Sequence, residues 1–235
     1  MKSSIDLLFS KIRFEPGRKA NITTFLNPYS YLFFRKNLTL FSSFETIYID
    51  GIVLVYLLRL AGIKTDRKSF DMTSIAPKVF DECISKDKTV YIIGSKEVAI
   101  NKFVKILSNS FPRLNIIGHR NGYFNSESER EKALMNIIKI NPNVVVVGMG
   151  TPYQEKFLVD LKQMGWMGDG YTCGGFIHQT TVEINYYPKF FDNFNLRWVY
   201  RIIDEPKLFK RYFFNYPQSI CLFIFDFLKY KISQK

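Results

Sequence analysis

At residues 144–155 the chain reads VVVVGMGTPYQE. Four consecutive valines form a short, continuously apolar run, which is typical of a strand buried on both faces of a parallel sheet. The glycines that follow allow a tight turn, and Thr151 and Pro152 suit the N-cap and the first position of a helix. We expect Gln154 to complete a capping box with Thr151. This stretch therefore predicts a strand, a glycine turn and a helix in direct succession.

Strands and helices alternate on either side of this stretch. Short β-rich runs predict further strands at residues 46–49, 89–93 and 115–117. In the helix predicted over 97–110, the residues expected to face the core are Ala99, Phe103, Ile106 and Ser110. Ser126 has the form of a helix cap, and the helix after it directs Ala133, Leu134, Ile137 and Ile138 inward. The alternation favours an α/β fold, in which a Rossmann-like parallel sheet is flanked by helices.

Composition restricts the class of protein. The chain has 235 residues, of which 47% are hydrophobic, and this apolar fraction excludes a disordered chain. Its three cysteines are odd in number and far apart, which argues against a disulfide scaffold and fits a reducing cytoplasm. The net charge of +12 predicts an anionic partner: nucleic acid, an anionic membrane or a phosphorylated substrate. Because aromatic residues reach 17%, the membrane surface is favoured among these.

The pattern changes near Leu196, so we divide the chain into a core at 1–195 and a C-terminal appendage at 196–235. The appendage carries eight basic residues against three acidic ones, interleaved with aromatic residues, and Pro206 and Pro217 divide it into short helices. Its apolar run is too short to span a bilayer, so we expect a peripheral membrane anchor. The alternatives are a final helix packed on the core with a solvated basic rim, and a nucleic-acid surface without a recognised motif.

Ligands of open parallel sheets bind beyond the carboxyl ends of the strands, where three stretches are candidates. The turn and helix start at 148–155 suit a phosphate, unless they form only a tight turn. Asp50 follows a predicted strand and could act as a general base or be an ordinary turn residue. The third stretch is Cys173-Gly174-Gly175. The sequence contains no Asp-x-Asp pair and no His/Cys cluster, so any phosphate charge would be met by backbone amides, helix dipoles, arginine and lysine.

Several motifs occur together in an order that resembles the WecG/TagA/CpsF glycosyltransferases. They are Ile49-Asp50-Gly51, Gly118 to Phe124, the GxGxPxQE stretch at 148–155, Gly174-Gly175, and the block LRWVYR at 196–201 with Glu205-Pro206 and Arg211. The resemblance covers about residues 22–216, and the GxGxPxQE stretch and the LRWVYR block are its most specific parts.

The resemblance implies an inverting transferase that needs neither a metal nor a cofactor. It would move a sugar from a UDP-sugar to a saccharide on polyprenyl diphosphate at the cytoplasmic face of the bacterial membrane, in the synthesis of cell-surface polysaccharides such as teichoic acids or exopolysaccharides. The protein would be peripheral to the membrane, and a homo-oligomer is compatible with the sequence. The alternative is a non-catalytic nucleotide- or lipid-binding scaffold of the same fold.

The resemblance also implies roles for individual residues. Asp50 matches the catalytic base, and Thr24 is a candidate for a second catalytic residue, since Phe25 occupies the position where the family has threonine. The implied donor-binding residues are Tyr123, Gly148, Gly150, Gln154, Glu155, Gly175 and His178. The residues implied to hold the acceptor and its lipid diphosphate are Asn27, Arg197, Arg201 and Arg211. His178 stands where many members have aspartate, which leaves the donor sugar open.

Overall fold

The computed structural model describes residues 3–12, 22–194 and 196–234. Within these ranges six strands form a parallel sheet in the order β2-β1-β6-β5-β3-β4. The strands are β1 (Ile22–Leu26), β2 (Thr46–Ile49), β3 (Thr89–Gly94), β4 (Asn115–Arg120), β5 (Val144–Gly148) and β6 (Asp169–Thr172). The α/β fold with a Rossmann-like parallel sheet is confirmed.

Helices cover both faces of the sheet. In the core they are α1 (Ser4–Ile12), α2 (Pro28–Lys36), α3 (Leu38–Ser42), α4 (Ile52–Leu60), α5 (Ile75–Ser85), α6 (Glu97–Ser110), α7 (Glu127–Ile140), α8 (Tyr153–Gln163), α9 (Phe176–Val182) and α10 (Lys189–Asn193). The C-terminal segment, which is the predicted appendage, contains α11 (Arg197–Asp204), a 3-10 turn (Pro206–Leu208), a π-helical turn (Arg211–Asn215) and α12 (Tyr216–Ser233).

The valine run forms the central strand, as predicted. Val144 to Val147 are at most 1% exposed, and successive valines enter the apolar clusters on opposite faces of the sheet. The sequence analysis did not predict β1, and it gave no range for β6, although it placed Cys173-Gly174-Gly175 at the end of a strand. Strand β6 reads DGYT and has no apolar run. It is part of the sheet because it lies between β1 and β5, so its own sequence carries little signal for a strand.

Two local predictions were wrong. In α6 the buried residues are Ile100, Phe103 and Leu107, so the core-facing stripe lies beside the predicted one and shares only Phe103 with it. Helix α8 begins at Tyr153 and has no side-chain cap. Thr151 therefore forms no capping box with Gln154. By contrast, the Ser126 side chain accepts the Glu129 N–H at 3.1 Å, which confirms the predicted cap of α7.

Helix α12 packs onto the core through its central residues. Phe223 is 2% exposed, and its ring centroid lies 5.5 Å from that of Tyr31 in α2. Asp226 accepts hydrogen bonds from Arg35 at 2.5 and 2.8 Å, Tyr31 at 2.8 Å and Ser4 at 3.0 Å. Helix α12 is thus held on the core by the contact between Phe223 and Tyr31 and by the Asp226 carboxylate, which accepts hydrogen bonds from three residues of α1 and α2.

No helix in the described ranges has the length and apolar character needed to cross a bilayer. Exposed apolar side chains are nevertheless concentrated in the C-terminal segment. Those of this segment are Trp198, Ile203, Phe209, Phe213, Phe214, Ile224, Phe225, Leu228 and Ile232.

We predict that Asp226→Asn lowers the free energy of unfolding by about 2 kcal/mol at pH 7, since hydrogen bonds to a charged group are lost. Burial acts against ionisation, yet the bonds from Arg35 and Tyr31 hold the pKa of Asp226 below its ordinary value. Its stabilising contribution should therefore be complete above about pH 4 and disappear as the pH falls through the lowered pKa. Denaturant titrations of both proteins at several pH values would measure this.

Asp81→Asn is the matched control, because Asp81 lies on the exposed side of α5. It should leave the free energy of unfolding unchanged. Equal stability of Asp226→Asn and the native protein at pH 7 would contradict the role given to this carboxylate.

Candidate active site

A cavity of about 930 Å³ opens at the carboxyl edge of the sheet. The connections that follow all six strands contribute to its wall, and the C-terminal segment covers one side. Such an edge is where open parallel sheets bind ligands. The cavity therefore lies at the carboxyl ends of the strands, where the sequence analysis expected a ligand.

Strands β3 and β5 are neighbours in the sheet, and the chain leaves them in opposite directions. After β3 it continues to β4 on one side, and after β5 it continues to β6 on the other. This reversal opens a crevice between their carboxyl ends. At its base Gly94 lies so close to the Gly148 carbonyl oxygen that an added Cβ would be 2.3 Å from it. Glycine is therefore required at position 94 by the close approach of the two strand ends, and neither Gly94 nor Gly148 places a side chain in the crevice.

Asp50 lies between the end of β2 and the start of α4, and its side chain lines the cavity. Its backbone N–H donates to the Leu26 carbonyl at 2.8 Å, which ties the residue to the neighbouring strand. Burial, reinforced by the nearby Asp71 carboxylate, raises the pKa of Asp50, while Arg67, Arg197 and Arg211 oppose the rise. A carboxylate with a raised pKa inside a cavity is suited to accept a proton.

The loop after α4 brings further charges to the cavity. Lys68 N–H donates to the Ile49 carbonyl at 2.8 Å, which fastens this loop to β2. Asp71, which is 8% exposed, then accepts a bond from Arg197 at 2.8 Å. Burial disfavours its charge, but Arg197 and two neighbouring hydroxyls hold the pKa of Asp71 below its ordinary value. The ionised Asp71 thus binds the C-terminal segment to the core.

The three arginines of the C-terminal segment differ in how completely they are paired. Arg197 donates to Asp71 and, at 2.6 Å, to Asp192, and it also contacts Thr73. Arg201 donates to Glu205 at 2.6 Å, and Arg211 donates to Asn27 at 3.1 Å. The Nε atoms of Arg201 and Arg211 are buried and find no acceptor in the described part of the chain.

Beneath the cavity floor, a buried polar network joins β1, β6 and the start of α8. Glu155 is fully buried and accepts hydrogen bonds from Thr24, Thr151 and Gln154. Gln154 lines the cavity and accepts the Gly174 N–H at 3.1 Å. The network therefore connects the two glycine-rich turns that the sequence singled out.

The structure brings most of the predicted site residues to one cavity. Those that line it are Asn27, Asp50, Tyr123, Gly148, Gly150, Gln154, Gly175, His178, Arg197, Arg201 and Arg211. Thr24 and Glu155 are not among the lining residues; both are 0% exposed and bonded to each other. The catalytic role of Thr24 stays a prediction.

Other residues of the wall were missed by the sequence reasoning. They are Arg67, Ser69, Asp71, Lys96, Tyr187 and Lys207. The run Arg67-Lys-Ser-Phe-Asp71 is polar except for Phe70, and this polarity is a local signal that could have identified Arg67, Ser69 and Asp71. Within the described residues, no group of three or more His, Cys, Asp or Glu side chains is arranged to hold a metal ion.

The chain is similar in sequence to known glycosyltransferases over most of its length. The sequence model described as "Glycosyl transferase WecG/TagA/CpsF family" matches residues 3–234. A UDP-Gal:alpha-D-GlcNAc-diphosphoundecaprenol beta-1,4-galactosyltransferase of Shigella boydii is 36% identical over 89% of this chain and 88% of its own length.

Two relatives from Bacillus subtilis (strain 168) and Bacillus spizizenii (strain ATCC 23059 / NRRL B-14472 / W23) are 28% and 27% identical. Each is an N-acetylglucosaminyldiphosphoundecaprenol N-acetyl-beta-D-mannosaminyltransferase, and each match covers 72% of this chain and 65% of the relative. With nearly the whole chain matched by the family model, this protein belongs to the WecG/TagA/CpsF family of glycosyltransferases.

Proposed function

We propose that the protein transfers a hexose from a UDP-sugar to a saccharide carried on polyprenyl diphosphate, with inversion at the anomeric carbon and without a metal ion. One observation carries the proposal: the Asp50 carboxylate shares a cavity with the 148–154 turn and with four arginines. A proton acceptor, exposed backbone for a diphosphate and fixed positive charges are the components that this transfer requires.

Asp50 is the base in this proposal. Its carboxylate takes the proton of the acceptor hydroxyl as that oxygen bonds to the anomeric carbon of the donor. The bond from this carbon to the diphosphate oxygen breaks at the same time, and UDP leaves with the electron pair. A single displacement of this kind inverts the configuration of the anomeric carbon.

The glycine turns and the basic wall supply the charge stabilisation. We place the donor diphosphate at the crevice between β3 and β5, where Gly148 and Gly150 expose the backbone and Lys96 lies in the wall. Tyr123 is 64% exposed at the same cavity and is available to stack on a base. Preorganised donors aimed at a departing anion are worth several kcal/mol in an enclosed site, about 3–4 for a single donor.

The acceptor diphosphate is assigned to Arg201 and Arg211. Both residues line the cavity, and among the described residues Arg201 has Glu205 and Arg211 has Asn27 as a side-chain partner, so an anion in the cavity can bind their guanidinium groups. Arg197 is already paired with Asp71 and Asp192, so we give it the separate role of fixing the C-terminal segment. Asn27 supports Arg211 through the bond at 3.1 Å.

The exposed aromatic residues of the C-terminal segment support a peripheral position on the cytoplasmic face of the membrane. Phe214 and Phe225 are 64% and 61% exposed, and basic residues are interspersed among such side chains. Aromatic rings enter the interface while lysine and arginine meet anionic head groups. A lipid-linked acceptor would then reach the cavity without leaving the bilayer.

We predict that Asp50→Asn lowers kcat by about 10²–10⁴-fold, the usual contribution of a general base. The affinity for UDP should stay close to that of the native protein, because the substitution keeps the shape of the side chain. Turnover assays and calorimetric titration with UDP measure the two effects. Asp66→Asn, on the exposed loop before Arg67, is the control and should change neither. Native turnover in Asp50→Asn would remove Asp50 from the mechanism.

A donor panel tests the substrate and the metal requirement together. UDP release is measured with UDP-galactose, UDP-N-acetylglucosamine and UDP-N-acetylmannosamine, with a GlcNAc-diphosphate lipid as acceptor and a chelator present. We expect UDP-galactose to react fastest, in line with the Shigella relative, and the chelator to leave the rate unchanged. Activity that disappears with chelator and returns with a divalent ion would refute the metal-independent mechanism.

Vesicle binding tests the membrane position. Removing the whole C-terminal segment would also take Phe223 and Asp226 out of the core, so surface substitutions are the sharper test. Phe214→Ser combined with Phe225→Ser should reduce binding to anionic vesicles at least about tenfold, because two phenyl groups no longer enter the interface. Val98→Ser with Met135→Ser removes exposed apolar groups from α6 and α7 and should have no effect. Equal loss in both pairs would contradict a dedicated membrane surface.

A further inference from the structure

Glu155 is a buried titratable group that the proposed mechanism does not use. It lies in the first turn of α8 and is 0% exposed. Its Oε1 accepts from Thr151 at 2.6 Å, Thr24 at 3.0 Å and the Gln154 amide at 3.1 Å. Its Oε2 is buried as well and has no hydrogen-bond partner among the described residues. All the polar contacts thus converge on one of the two oxygens.

We propose that Glu155 is a positioning residue, present as a neutral acid, which fixes the side-chain amide of Gln154 at the donor subsite. This inference rests on the proposed function, since it takes the cavity wall at Gln154 to be where the UDP-sugar binds. Glu155 itself touches no substrate.

The contacts of Gln154 show how its amide is fixed. Oε1 accepts the Gly174 N–H at 3.1 Å, and Nε2 donates to Glu155 Oε1 at 3.1 Å. Rotating the amide by 180° would set two oxygens against each other and two N–H groups against each other. One orientation is therefore strongly preferred, and it leaves the second Nε2 hydrogen available to a ligand in the cavity that Gln154 lines.

The pattern of partners supports the neutral form. The three groups bonded to Glu155 are two hydroxyls and an amide, none of which carries a charge. An ionised carboxylate buried in this way would hold its charge without a counter-ion among the described residues. Burial raises the pKa of Glu155 and outweighs the bonds from Thr151, Gln154 and Thr24, which lower it. As a neutral acid, Glu155 accepts these bonds through its carbonyl oxygen and carries its proton on the buried Oε2.

Thr24 acquires a role from the same network. Its hydroxyl accepts from Thr172 at 2.9 Å and donates to Glu155 at 3.0 Å, so β6, β1 and α8 are joined in one line. Being 0% exposed, Thr24 is out of reach of the acceptor. It acts on the donor only through Glu155 and Gln154.

Glutamine is the substitution that separates a neutral acid from a charged one. Glu155→Gln retains the carbonyl oxygen, replaces the O–H by an N–H, and should stay within about threefold of the native kcat and donor KM. Glu155→Leu removes the anchor of Gln154 and should raise the donor KM about tenfold or more, with a smaller change in kcat and none in the acceptor KM. Thermal unfolding of each variant shows whether the fold is retained.

Because the leucine variant could fail to fold, a matched pair of threonine variants provides a second test. Thr24→Val removes one bond to Glu155 and should raise the donor KM about threefold to tenfold. Thr46→Val is the control: its hydroxyl, on the neighbouring strand β2, is buried and has no partner among the described residues. It should leave KM unchanged. Equal effects of the two substitutions would overturn the role of the network.

Loss of activity in Glu155→Gln as severe as in Glu155→Leu would show that the charge or its proton matters, and the proposal would be wrong. The affinities for UDP and for UDP-galactose, measured by calorimetry, separate this inference from the proposed function. If the native protein binds UDP-galactose but transfers nothing, the proposed function fails, and the affinities of the variants still decide the role of Glu155. If it binds neither ligand, both proposals are overturned.

Discussion

The six strands of the described residues all run in one direction, and the site depends on that constraint. Parallel strands require crossovers, so the chain returns from the carboxyl ends of the strands to their amino ends before each new strand begins. Every connection that follows a strand consequently opens at the same edge. Asn27, Asp50, Gly148 and Gly174 are far apart in the sequence but share one cavity for this reason. The apolar run of β5 anchors the arrangement, because it is buried from both faces.

The arginines of the C-terminal segment have two different roles: Arg197 attaches the segment to the core, and Arg201 and Arg211 are available to a ligand. Arg197 is paired with two carboxylates, and its bond to Asp71 links the segment to the loop after α4. Arg201 and Arg211 line the cavity and bond to Glu205 and Asn27, which suits their guanidinium groups to an anionic ligand. A basic sequence motif alone does not distinguish these roles. The distinction depends on where Asp71 and Asp192 lie in the folded chain.

Much of the fold could be predicted from the sequence. A segment that is buried through its own apolar residues shows this in its local sequence pattern. Strand β5 and the inward face of α7 were of this kind. Strand β6 was not, because its neighbours bury it, and the stripe of α6 was displaced because several faces of that helix carry apolar residues. Thr24 was assigned to the chemistry by its place near a motif. Its burial against Glu155 shows that closeness in sequence does not establish exposure to a ligand.

The sequence by itself determined the class of fold, the candidate base Asp50 and the family, since strand periodicity, glycine turns and motif order are all local features of the chain. Only the tertiary structure decided that Asp50 lines the cavity with Asp71 beside it, and that Glu155 lies beneath the floor. The physical reason is that burial and charge pairing are set by side chains distant in sequence, which meet only after the sheet has formed.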